Sequence, residues 1–91
     1  MKYSSFDDIF SAVRARFEHA RAAHPDFAQG RFHALGFLGE EYGEVTRELT
    51  KGLPGWEDRA DSELIDLIVV ASRMLLRHHE HGGFDYGTGS K

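Results

Sequence analysis

The sequence predicts an all-α protein, a three-helix chain forming a helical bundle that dimerisation completes. Three observations carry this expectation. Apolar residues recur at spacings of three and four through three separate stretches, the pattern of helices that bury one face. Strong breakers, His24-Pro25-Asp26 and Lys51-Gly52-Leu53-Pro54-Gly55-Trp56, divide those stretches. The third stretch is apolar nearly all round. Such a helix must be covered on several sides, which two other helices in a 91-residue chain cannot easily do and a partner subunit can.

The first helix opens with Ser5 followed three residues on by Asp8, a capping box with Asp in the place of the usual Glu. Phe6, Ile9, Phe10, Val13, Phe17 and Ala20 then mark one face to about Ala23. Arg14, Arg16, Glu18 and Arg21 are expected on a solvated far face. Pro25 forces His24 out of helical geometry and ends the helix. The second helix is expected from about Arg31 to Leu49 or Thr50. Gly36, Gly39 and Gly43 inside it each cost roughly 0.5–1 kcal/mol relative to Ala, which suggests a close approach by another backbone or a ligand. Gly52 can end that helix, and Pro54-Gly55 favours a turn. The third helix is expected from Glu57 or Asp58 to about His79, packed antiparallel on the second, with no β-sheet anywhere.

Ninety-one residues make one domain, here a helical unit over 1–80 and a Gly-rich, aperiodic segment over 81–91 that reads as a mobile tail. A net charge of −4 argues against non-specific binding to a nucleic acid polymer or an anionic membrane. No apolar run approaches the ~18 residues of a membrane span, and the N-terminus lacks the apolar core of a signal peptide, so a cytoplasmic location is expected. With no cysteine, disulfides and thiolate metal sites are excluded. No P-loop is present either.

The chemistry lies in two acidic stretches. Leu38, Tyr42, Val45 and Leu49 form the apolar stripe of the second helix, and Glu41, Glu44 and Glu48 run along its border. Glu63 and Asp66 share a face at the head of the most apolar run in the chain. Read singly, each acidic pair is an ordinary solvated helix face. Read together across an antiparallel seam, they bring four carboxylates to one place, where they repel unless a cation sits among them. Hard oxygen ligands without thiolate or imidazole select Mg²⁺, or Mn²⁺, over zinc or copper. Ions held by few protein ligands keep positions open for water and phosphate oxygens, which suits phosphoryl transfer.

Glu40-Glu41-x-x-Glu44, eighteen residues, then Glu63-x-x-Asp66 resembles the signature of the MazG-like all-α nucleoside triphosphate pyrophosphatases. The resemblance runs from about His33 to Leu76. It implies a helical homodimer or homotetramer. It also implies Mg²⁺-dependent cleavage of a nucleotide between the α- and β-phosphates, releasing a monophosphate and pyrophosphate. By position, Glu41, Glu44, Glu63 and Asp66 would be the metal ligands. Glu40 would be an auxiliary carboxylate that orients water or helps with a second ion, and it shares the catalytic assignment with Glu41. Many relatives continue past the third helix into a helical segment carrying basic or amide groups for substrate. Here phosphate contacts are expected instead from Lys51, Arg73 and Arg77. His33, Phe37 and Trp56 are the candidates for holding the base, since aromatic faces stack on nucleobases at about 1–3 kcal/mol each. Two other readings keep the fold: a hydrolase of another phosphoanhydride or phosphoester, and a helical interaction module without catalysis.

Overall fold

The computed structural model describes residues 2–80, with side chains as far as Leu76. Three helices account for nearly all of it: α1 (Phe6–Ala23), α2 (Arg31–Lys51) and α3 (Trp56–Glu80), with no strand among the described residues. The all-α expectation is met, and each helix boundary falls within two residues of its expected place. The proposed tail over 81–91 lies outside the described residues, as does the side chain of Arg77.

Each helix end has an identifiable stop. At the start of α1 the Asp8 amide donates to Ser5 Oγ at 3.1 Å. The Asp8 carboxylate reaches back one residue further than a capping box requires, accepting from the backbone and hydroxyl of Ser4 at 3.0 and 2.9 Å. These hydrogen bonds hold the Asp8 carboxyl below its ordinary value. At the other end the His24 amide still donates to Ala20 O at 2.8 Å, and Pro25, with no N–H, stops the series there. Gly52 ends α2 in the left-handed region, at φ 60° and ψ 31°. Gly55, at φ 83°, makes the turn that lets the Trp56 amide bond Leu53 O at 2.9 Å, so α3 starts a residue earlier than the pattern suggested. Arg59 fastens this turn through Pro54 O at 3.0 Å and Glu48 Oε1 at 2.9 Å.

α3 is the central element. α2 packs along it antiparallel, in a register that sets Glu48 opposite Arg59, Glu44 beside Glu63, and Ala34 and Phe37 against Val70 and Met74. α1 lies across another side of α3. Arg16 there pairs with Asp66, and Arg73 donates to Ala20 O at 3.2 Å and to His24 O. Among the described residues α1 and α2 do not meet. Between them, over α3, runs a groove.

The core is thin. Its buried apolar residues are Phe27, Ala28, Ala34, Val45, Ala60, Ile65 and Val69, and no large side chain is fully enclosed. α1 buries none of its residues. At about 100° per residue, α3 presents Asp66, Val69 and Arg73 to α1, and Glu63, Val70 and Met74 to α2. The third arc, Leu64, Ile68 and Leu75, is uncovered. On α2 the exposed Leu35, Tyr42 and Leu49 recur every seven residues. Because the two helices are antiparallel, both stripes fall on the same side of the hairpin, opposite the groove. Among the described residues, the covering predicted for α3 is therefore only partly supplied. The helical glycines Gly36, Gly39 and Gly43 have open space where a Cβ would stand, so no described segment of this chain makes the close approach expected of them. No helix among the described residues is long and apolar enough to cross a membrane.

Candidate functional site

The antiparallel register is what assembles the site. Glu41 and Glu44 sit one turn apart on the border of the α2 apolar stripe, and Glu63 meets them from α3. One carboxylate oxygen from each lies within 4.8 Å of the others. All three side chains are half-buried. Burial and crowding act on them in the same direction. Glu41 is pushed up to about 7, first by desolvation and then by the negative charges of Glu44, Asp66 and Glu63. Glu63 is raised for the same two reasons, burial and then its closeness to Glu44 and Asp66, with Arg47 pulling it part of the way back. Glu41 Oε1 is enclosed and has no hydrogen-bond partner. An enclosed carboxylate oxygen without a donor costs about 1–3 kcal/mol or more, so it is a position where a cation would be favoured.

The fourth carboxylate, Asp66, is close enough to raise both glutamates, but its Oδ1 is paired with the Arg16 guanidinium from α1. The expectation that Arg16 lies on a solvated far face is therefore incorrect. On a helical projection Arg16 borders the Ile9 and Ala20 edge of the apolar stripe, and that position could have indicated its inward reach. Glu40, expected beside the chemistry, is exposed and outside the three-carboxylate group.

The residues expected to hold substrate divide. His33 and Phe37 line a depression of about 290 Å³ at the α1–α2 connection, together with His24, Asp26, Phe27 and Arg73. The His33 and Phe37 rings lie 4.6 Å apart, and Phe37 and Phe27 are 5.5 Å apart. His33 also has a local task, its Nδ1 accepting from the Gln29 amide at 3.1 Å. Arg73 is buried, with its guanidinium over the Phe27 ring at 5.1 Å and its donors on the carbonyls that end α1. Its donors thus meet the carbonyls of a helix end. Lys51 lies at the opposite end of α2, in a depression of about 340 Å³ lined also by Arg47, Glu48 and Arg59. Trp56 opens α3 at that same end, half-buried. Arg47 and Arg59 were not singled out in the sequence. Both face this end only because of the register between α2 and α3.

Along α2 there thus follow, in order, an aromatic depression, the carboxylate cluster and a cationic depression. No family model, curated protein or solved structure matches the chain.

Proposed function

We propose that the chain is a divalent-metal-dependent nucleotide pyrophosphohydrolase, assembled as a homodimer or a larger homo-oligomer. The carrying observation is the convergence of Glu41, Glu44 and Glu63 in a half-buried groove, with one enclosed oxygen lacking a partner. The resemblance of Glu40-Glu41-x-x-Glu44 and Glu63-x-x-Asp66 to the MazG-like signature supports the same reading.

The donor set fits a hard cation, since it offers only carboxylate oxygens. Glu41, Glu44 and Glu63 would hold Mg²⁺ or Mn²⁺, with Asp66 joining when Arg16 releases it. A bound ion supplies charge neutralisation for the phosphates and makes the attacking water more acidic. The chain's own residues do the rest. In balance, water adds to the α-phosphorus, the bond from that phosphorus to the bridging oxygen breaks, and its electron pair leaves on pyrophosphate. One proton from the water must be accepted. Glu40 and Glu41 are the candidate acceptors: Glu41 is raised to about 7 among its neighbouring acids in the metal-free chain, a bound ion would lower it, and Glu40 stands exposed beside the cluster. Phe37 and His33 offer ring faces for a base at one end of α2. Arg47 and Lys51 offer positive charge at the other.

The exposed stripes on α2 and α3 support assembly. Burying a large apolar side chain is worth about 1.5–3 kcal/mol. Leu35, Tyr42, Leu49, Leu64, Ile68 and Leu75 together therefore compare with the whole 5–15 kcal/mol stability of an ordinary domain.

A non-catalytic helical module draws support from a different observation, the Arg16–Asp66 pair, which gives the acidic seam a counter-charge of its own. A panel of canonical and modified nucleoside triphosphates with Mg²⁺ separates the readings by products. Monophosphate plus pyrophosphate is expected. Orthophosphate would point to another phosphoanhydride, and no turnover of any member would favour the module.

A further inference from the structure

We propose that Arg16 is a substrate-contacting residue, whose guanidinium exchanges the Asp66 carboxylate for the phosphate oxygens of a nucleotide. This rests on the nucleotide reading above and adds to it a role for α1.

The argument starts from the donors. A guanidinium carries five N–H donors in a planar fork that matches phosphate bidentately. Four arginines lie at or near the groove, and Arg47 among them places its charge beside Glu63 and lines the cationic depression. Arg59 is tied to Glu48 and to the turn carbonyls of Leu53 and Pro54. Arg73 is buried on the carbonyls ending α1. Arg16 makes one hydrogen bond among the described residues, from a single terminal nitrogen to Asp66 Oδ1. Its side chain is 39% exposed, so it remains accessible to solvent beside the acidic cluster.

Charge gives the exchange a direction. Asp66 is held by Arg16 but lies among Glu41, Glu44 and Glu63, and it raises the first and last of them. When the carboxylates are neutralised by a divalent ion, the attraction that keeps Arg16 on Asp66 weakens. A polyphosphate arriving at the same place brings several negative charges, within reach of a guanidinium that α1 already holds beside the acidic cluster.

The roles differ in the sign of their effects. With Arg16→Gln, calorimetry with Mg²⁺ alone should show binding as tight as wild type or several-fold tighter, because a competing cation has been removed. Binding of a triphosphate analogue with a methylene bridge between its α- and β-phosphorus, in the presence of Mg²⁺, should weaken roughly tenfold to a hundredfold, as for a lost charged hydrogen bond. The corresponding nucleoside, without phosphate, should bind Arg16→Gln and wild type alike. Arg16→Lys keeps the charge without the fork and should fall between. It carries the test if Arg16→Gln does not fold. Loss of Mg²⁺ and analogue binding together would make Arg16 a structural strut and overturn the proposal. So would equal analogue binding by wild type and variant. If wild type binds neither Mg²⁺ nor the analogue, the nucleotide reading itself fails and this inference falls with it.

Discussion

Glu41 shows how one side chain can link packing to chemistry. Its carboxyl is half-buried, borders three others, and keeps one enclosed oxygen without a donor. Its value of about 7 in the folded chain lies above that of an unfolded glutamate. A raised value contributes stability that is fully present below about 4.3 and is lost as the pH rises through 7. Glu63 shifts the same way and adds to the trend. Melting temperature in chelator should therefore fall as the pH is raised from 5 to 7.5. Glu41→Gln should flatten that slope and melt higher than wild type at pH 7.5, while losing the stabilisation that Mg²⁺ gives wild type. A slope unchanged by the substitution would place the titration elsewhere.

At the scale of elements, what sequence could and could not reveal follows from the range of the forces involved. Capping at Ser5, the stop at Pro25, the glycine end at Gly52 and the turn at Pro54-Gly55 are all local, and each was legible. So was the meeting of Glu41 and Glu44 with Glu63, because both helices carry their acids on the border of a strong apolar face. The positions of Arg16, Arg59 and Arg73 were not legible. Each is a long side chain whose partner lies on another helix or turn, 50 residues away for Arg16 and Asp66. Helix periodicity is silent about which neighbouring element comes within reach. Arg73 is the instructive case, a cation at the last turn of α1 supplied by α3, where the free carbonyls concentrate negative charge. Arg73→Met should remove those bonds and the contact with the Phe27 ring. The expected cost is about 1.5–3 kcal/mol, or a melting temperature lower by roughly 10 °C for a domain this small. Circular dichroism melts check it. A variant as stable as wild type would mean that water serves those carbonyls equally well.

For the whole molecule, two faces of the α2–α3 hairpin have opposite characters: charged groove on one, uncovered apolar stripes on the other. The second face is where the second copy of the proposed assembly would sit. Wild type should sediment as a dimer or larger at micromolar concentration, and Ile68→Glu, at a side chain 40% exposed in the single chain, should shift it towards monomer. A wild-type monomer with the same secondary structure would count against that assembly. The absence of any meeting between α1 and α2 has a different consequence, one of timescale. The hairpin is closed by a short turn and can form early, whereas α1 has no buried residue and, among the described elements, only α3 to rest on. Its amides should therefore exchange with deuterated solvent faster than those in the middle of α2 and α3, at an opening free energy below that of global unfolding. A ligand that draws Arg16 across the groove would slow exchange in α1 first, so the least anchored helix would be the one that records occupancy.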